Sequence, residues 1–481
     1  MYLFFLTLLS IFSGGSGNDL LDYVPTDAYW NAKHVVVSVE SMASQLKLPT
    51  DKDIAGWIAD LDAADPQTRD AAYRELLHSG PAILPKLEKI TDGPAAEPAQ
   101  RARVLIAQIN AAPKRDAVRR LMAIRTLGEL KKQEGLPVLR PYLDSKEMFV
   151  ADYARIATAQ IEGKPTERTR AVDTDKDAWL LPAECRAVAH VELHGGRPID
   201  YAAAFKQFPL PAGDDNQVAI DFVANQALTT AESIGNVRLD AITIGVSGDV
   251  SETSGCAVVI VAGQYDAAAL NQFARKLKFV FKTVEGQDAF HPDADKAAFL
   301  PSNDRLVLIA KPKDQDAPLA EMMSAIKSGE GKLKTTPEMA TLLAKVDIKQ
   351  PVWAVMKVTD AYRKAPPLAA FDEVTVVGRR DAAGFHLTVR AAGNDPAKVK
   401  AAADIASAMF TQTAKDVRQV VIAMPAMQSL VDVLDQMKVS TSAGEAAFTA
   451  DVRDAPADSF LLPLLMTHGM PRQQDKRVPQ E

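Results

Sequence analysis

The chain has 481 residues, 47% of them hydrophobic and 24% charged, an ordinary balance for globular domains with apolar cores. Its 55 Lys and Arg against 62 Asp and Glu give a formal charge of −7, which excludes an overall positive field that would gather nucleic acid or an anionic membrane. Aromatics at 6% leave few rings for stacking bases or sugars, and the length fits about three domains of ~150 residues.

Residues 1–17 read as a targeting segment. Tyr2 to Phe12 is apolar, and Ser13-Gly14-Gly15-Ser16-Gly17 supplies the small residues of a cleavage region. The run is too short for a bilayer span, which takes about 20 apolar residues. No Cys follows it, which argues against a bacterial lipid anchor. The expectation is an exported protein, in the periplasm or at the cell surface, with no transmembrane helix.

Residues 18–49 form a short lead-in punctuated by Pro25 and Pro49. Val35-Val36-Val37 is β-branched and predicts a strand, and Ser38 to Leu46 predicts a helix after it. Residues 50–162 form a helical block. Ile54, Trp57, Ile58 and Leu61 make the i, i+3, i+4, i+7 stripe of a packed helix. Ala64-Asp65-Pro66 and Ser79-Gly80-Pro81 break the chain on either side of a second helix. Ile83 to Ile90 begins a third, and the Ala-rich stretch Pro94 to Lys114 follows. Leu121 to Leu130, Leu136 to Leu143 and Val150 to Ile161 complete the helices.

Ala123-Ile124-Arg125-Thr126-Leu127-Gly128-Glu129-Leu130, followed by Leu136-Pro137-Val138-Leu139 and Tyr142-Leu143-Asp144, resembles a HEAT-type repeat. Arg69 to Leu87, with Ala71-Ala72, Gly80 and Ile83-Leu84-Pro85, resembles a degenerate second copy. The resemblance implies helix pairs stacked into one continuous core and a protein-binding role.

Residues 163–176 are polar and charged, with Gly163 and Pro165, and read as a linker. Beyond it, 177–465 predicts a duplicated α+β domain, with units near 239–345 and 371–452. Leu239-Asp240-Ala241-Ile242-Thr243-Ile244 aligns with Phe371-Asp372-Glu373-Val374-Thr375-Val376. Each leads through a turn to a second strand, Cys256 to Ala262 or Phe385 to Ala391, and then to a helix from Asp266 or Pro396. A second echo sets Pro337-Glu338-Met339-Ala340-Thr341-Leu342 against Pro425-Ala426-Met427-Gln428-Ser429-Leu430, ahead of strands Val352 to Val358 and Ala446 to Val452. The pattern implies a largely antiparallel sheet with helices on one face. Leu181-Pro182-Ala183-Glu184, Ala262-Gly263-Gln264-Tyr265-Asp266 and Pro337-Glu338-Met339 make the region similar to an uncharacterised domain class of exported bacterial proteins, which can follow helical repeats. Residues 466–481 predict a disordered tail.

Candidate chemistry is sparse. His190, Glu192 and His194 alternate on a predicted strand and share one face, a candidate metal set for a hydrolase. Their outer pair lies about 13 Å apart at ~3.3 Å per residue, too far for one ion on a straight strand. The same alternation fits a solvent-facing strand with Val191 and Leu193 turned inward. Gly329-Glu330-Gly331-Lys332 lacks the first glycine of a phosphate loop, since Ile326 stands there. Gly245-Val246-Ser247-Gly248 has Asp249 where a nucleophile elbow needs glycine. Cys185 and Cys256, both on predicted strands, are either two buried thiols or one disulfide. The basic stretch from Lys114 to Lys132 spreads around a helix and reads as a solvated surface. No catalytic residue and no cofactor is implied. The sequence points to a non-enzymatic exported scaffold that binds a protein or envelope component and no nucleic acid. A periplasmic carrier of an apolar ligand in the sheet domain is the alternative, and a metal-dependent hydrolase a distant third.

Overall fold

The computed structural model describes residues 19–92, 96–164, 174, 176–192, 215–247, 255–293, 296–310, 316–364, 368–381, 384–421 and 435–452. The predicted signal, most of the linker, Pro425 to Leu430, His194 and the predicted tail lie outside them.

The helices begin where capping groups satisfy their free N–H donors. Ser38 caps Val39–Gln45. Thr50 and Asp53 cap Asp51–Asp60 reciprocally, with Oγ1 of Thr50 accepting from Asp53 N at 3.2 Å and Oδ2 of Asp53 accepting from Thr50 N at 2.9 Å. Asp65 accepts from Thr68 N at 2.9 Å ahead of Pro66–His78. With Leu84–Thr91 and Ala96–Ala111, these last two helices bury Ile54, Leu76, Leu87 and Leu105 in a core of their own. The lead-in strand predicted over Val35–Val37 is absent: the segment is irregular, and Val36 is 82% exposed. Three β-branched residues with no neighbouring strand have no ladder to join. The predicted helix from Leu136 to Leu143 is also broken, into Gly135–Leu139 and a 3-10 turn at Arg140–Tyr142 where Pro141 interrupts it.

Arg115–Leu130 and Val150–Ile161 pack closely because Gly128 has no side chain. A Cβ there would lie 2.7 Å from Ala157 Cα. The core around these two helices also takes in Leu20, Trp30 and Met42 of the lead-in, Ala227 and Ala231 of helix Asp215–Ile234, and Tyr265 and Ala269 beyond it. One apolar core therefore runs from the lead-in through the helices into the sheet region.

The fold is α+β, with N-terminal helices followed by one 12-stranded sheet whose neighbours all pair antiparallel. The strands are β1 (Ala187–Glu192), β2 (Arg238–Ser247), β3 (Cys256–Gln264), β4 (Val280–Val284), β5 (Gln287–Asp293), β6 (Lys296–Phe299), β7 (Arg305–Ala310), β8 (Val352–Lys357), β9 (Glu373–Asp381), β10 (Gly384–Ala392), β11 (Lys438–Ser442) and β12 (Glu445–Val452). Their order is β11-β12-β10-β9-β8-β1-β2-β3-β7-β6-β5-β4.

The two halves match outward from a central seam between β1 and β8. Each runs strand, strand, strand, helix and a returning strand that pairs with the third: β7 on β3, and β12 on β10. The strands aligned in the sequence, β2 with β9 and β3 with β10, hold equivalent places. Each unit opens one strand earlier than the sequence echo suggested, at β1 and β8. Pro425 to Leu430 of the second echo lies outside the described residues, and the strands after its two segments, Val352 to Val358 and Ala446 to Val452, hold unlike places. The first of these is β8, at the seam, and the second is β12, the returning strand. The first half also carries the extra hairpin β4–β5.

Helices cover both faces of the sheet, not one. Asp316–Ser328 and Pro337–Leu343 pack Leu319, Met322 and Met339 against the face that carries Val188, Val258 and Val355. On the opposite face, Ala267–Lys276 covers Leu306 and Leu308 in one half. Pro396–Val421 covers Val389 and Phe448 there in the other.

Candidate functional site

Three places concentrate chemistry: the joint between helices and sheet, the seam, and the sheet face behind the seam.

The joint is built largely from the basic stretch read in the sequence as a solvated surface. Instead, Lys114, Arg115, Arg119, Arg120 and Arg125 are partnered and half-buried or buried, while Lys131 and Lys132 are exposed. Lys114 pairs with Asp266, and Arg115 Nε lies 3.2 Å from Glu232 Oε2, both partners belonging to elements beyond the predicted linker. Arg119 donates to Gln45 O at 2.6 Å, and Arg125 to Leu21 O at 2.5 Å and Val24 O at 3.0 Å. These arginines add hydrogen bonds to carbonyls at the ends of the lead-in's helical turns. Trp30 is fully buried, and its Nε1 donates to Thr126 Oγ1 at 2.8 Å.

At the inner end of the joint Arg238 is 1% exposed among three carboxylates. Its Nη2 donates to Asp152 Oδ2 at 2.9 Å and Gln264 Oε1 at 2.7 Å. Its Nε stands 3.7 Å from Asp240 Oδ1 and 4.0 Å from Asp19 Oδ1, and the guanidinium lies 5.6 Å from the Phe149 ring centre. Burial disfavours the charge, but the carboxylates of Asp19, Asp152 and Asp240 outweigh it and raise the pKa further. The sequence reading missed this cluster. The only trace of it is the charged pair Arg238 and Asp240 flanking Leu239, where a strand begins.

At the seam, His190 faces the opposite way from the sequence expectation. The covered face is the one that carries His190, Val188, Trp353 and Val355, while Val191 is only half-buried. His190 Nδ1 lies 2.8 Å from Thr243 Oγ1, and its ring stacks on Trp353 with centroids 5.4 Å apart. Asp316–Ser328 and Pro337–Leu343 roof this face at the seam, which is why the polar residue lies inside. Glu192 ends β1, where its N–H donates to Pro351 O at 2.7 Å. Among the described residues no three His, Cys, Asp or Glu gather as a metal set.

Cys185 lies in the turn before β1, not in a strand, and Cys256 opens β3. Both are buried in the seam core beside Leu181, with no disulfide between them. Burial, with Cys256 adding to it, pushes the Cys185 thiol up to about 12. Ser247 ends β2, and its Oγ lies 3.4 Å from Cys256 O. Gly331 is pressed against the backbone of Trp179 and Leu180, where a Cβ would lie 2.2 Å from Trp179 O. Both former motif candidates are thus packing positions.

Behind the seam the sheet carries an aliphatic floor. Ala189 and Val191 of β1, Ile242 and Ile244 of β2, and Val352 and Ala354 of β8 share this face, and all are half-buried. None belongs to the packed cores on either side. Among the described residues, Ala267–Lys276 and Pro396–Val421 pack on the outer strands of this face. On Pro396–Val421, Ile405 is 45% exposed and Met409 49% exposed, one turn apart on a flank away from the packed residues Val399, Ala402 and Ala406.

No protein-family model and no curated protein matches the chain. Among solved structures, TP0453 in crystal form I is similar at 11% identity and a TM-score of 0.32, covering 62% of this chain and 99% of that one. Crystal form III of TP0453 gives 10% identity, a TM-score of 0.32, and coverage of 62% and 100%. Among the described residues no helix is long and apolar enough to cross a membrane.

Proposed function

We propose that this is a non-enzymatic exported binding protein, with its HEAT-like helices offered to a protein or envelope component. The observation that supports it is the joint. The helices Asp51–Asp60 to Ala96–Ala111 keep a separate core, while Arg115–Leu130 and Val150–Ile161 share theirs with the sheet region. The outer helices thus form an arm on a fixed base, the arrangement that suits presentation of a surface. The apolar run and small residues at the N-terminus support export.

A photo-crosslinking amino acid at Val104, 40% exposed on the arm, tests this in the full-length protein. A discrete adduct from envelope extract at Val104, absent with the probe at Lys400 on the sheet helix, is the expected result. Equal labelling at both positions, or no adduct at Val104, overturns it. A second reading, a carrier for an apolar ligand, is favoured by the half-buried aliphatic floor.

A further inference from the structure

We infer that a small inorganic oxyanion binds where the arm meets its base, held by Tyr29, Lys33, His78 and Arg119. The inference depends neither on the envelope partner nor on the carrier reading.

A surplus of donors over acceptors carries it. Tyr29 is 3% exposed and Arg119 7% exposed, yet the Tyr29 hydroxyl and Arg119 Nε make no hydrogen bond among the described residues. A buried donor without an acceptor is costly. The other Arg119 nitrogens are engaged: Nη1 donates to Gln45 O, and Nη2 to Asp116 Oδ1 at 2.6 Å. The nearby carboxylates are committed as well. Asp116 Oδ2 accepts from Arg120 Nε at 3.1 Å. Glu232 Oε2 accepts from Arg115 Nε at 3.2 Å, and its Oε1 lies 3.9 Å from Lys33 Nζ.

Charge points the same way. Burial, and then Arg119, Lys33 and Arg115, hold the His78 ring down to about 4, with Asp116 alone opposing. Burial also lowers Lys33 against the pull of Glu232, and Arg115 and Arg119 add to it. The Lys33 amine stands 4.7 Å from the centre of the Tyr29 ring. A water molecule could accept from the two buried donors but would leave this excess of positive charge in place. An anion relieves both.

The same place is the start of Arg115–Leu130, where Lys114 offers no side-chain cap and the helix dipole favours negative charge. Arg119 turns back towards that start, as its bond to Asp116 three residues earlier shows. The charged groups around Tyr29 are Glu232, Arg119, Arg115 and Asp116, so its hydroxyl belongs to the same cluster. The arm reaches it through His78, which ends Pro66–His78, and Gly80, where a Cβ would lie 3.4 Å from Asp116 Cβ. An ion here therefore ties the arm to its base. The burial of Tyr29 and Arg119 selects a bare ion of the sulfate or phosphate class over a phosphorylated chain.

The test is isothermal titration calorimetry of the full-length protein with sodium sulfate in chloride-free buffer; sulfate keeps its charge across the pH range used. The expected result is one ion per chain, bound about tenfold tighter near pH ~5 than near pH ~7.5, because His78 takes up a proton with the ion. Tyr29→Phe removes one donor and should weaken binding about fivefold. Lys33→Gln changes a half-buried position and keeps the test valid should Tyr29→Phe misfold; it should weaken binding about tenfold. His78→Gln should remove the pH dependence. No sulfate binding would leave water as the acceptor and overturns the inference. Binding that none of the three variants weakens, or that ignores acidification, places the ion elsewhere and also overturns it. Glycerol phosphate matching sulfate in affinity overturns the assignment of a bare ion.

Discussion

Arg238→Met is the most informative single change. It keeps length and apolar contact but removes the cation from between Asp19, Asp152 and Asp240. Asp19 and Asp240 are 0% exposed, so neither carboxylate can turn to water without opening the joint. Breaking a buried charge cluster from one side costs about 3–5 kcal/mol, because the remaining charges stay desolvated and unopposed. Against a typical total stability of ~5–15 kcal/mol that is a large share. The assay is urea unfolding followed by tryptophan fluorescence, with Trp30 in the same core as a reporter. The expected result is an unfolding free energy lowered by that amount, read as an earlier midpoint with an unchanged slope. Amide exchange should rise first in Val150–Ile161 and β2, the two elements the side chain joins. The triple variant Arg238→Met, Asp19→Asn, Asp240→Asn should recover at least about half of the loss, since neutral amides carry no ionic desolvation cost. A cost below about 1 kcal/mol, or an equal cost in the triple variant, would show that the cluster is not an electrostatic joint.

Other outcomes follow from the same structure. Gly128→Ala should cost about 1–3 kcal/mol in thermal or urea unfolding, because the new methyl meets Ala157 at the helix contact; a neutral effect would show that the two helices can part without penalty. The Cys185 thiol, held up to about 12 by burial, should resist iodoacetamide at pH 8 in the folded protein and react fully in urea, as mass spectrometry of the peptide would show. Burial, helped by Arg119, pulls His78 down to about 4. Because the unfolded state then binds the proton more readily, stability is complete above about pH 6.5 and declines as the pH falls towards 4. His78→Gln should flatten that part of the profile, and an unchanged slope between pH 6.5 and 4 counts against the burial of this ring.

Much of the architecture was legible because it depends on local rules. Capping residues, prolines and apolar stripes located Val39–Gln45, Asp51–Asp60, Pro66–His78 and Val150–Ile161 within a residue or two, while the start of Arg115–Leu130 and the whole of Asp215–Ile234 and Asp316–Ser328 went unread. The echo between Leu239 to Ile244 and Phe371 to Val376 falls on strands in equivalent places, β2 and β9. What could not be read was tertiary. The face occupied by His190 depends on where helices Asp316–Ser328 and Pro337–Leu343 pack, and neither announces its target in the sequence. The basic residues of Arg115–Leu130 look solvated until the lead-in carbonyls and Glu232 are brought to them. Val35–Val37 has strand propensity but no partner strand, so propensity alone misleads. The half-buried aliphatic face of β1, β2 and β8 was the least visible feature, because Ile242 and Ile244 have the same alternation as fully buried strand residues.

The pairing of β1 with β8 means that the two halves of this protein complete one another's hydrogen-bond ladder. A single half expressed alone would end in a bare edge whose natural complement is the same strand of a sister chain. Fragments cut between Ala310 and Val352 should therefore assemble in pairs, or form fibres, before they behave as monomers.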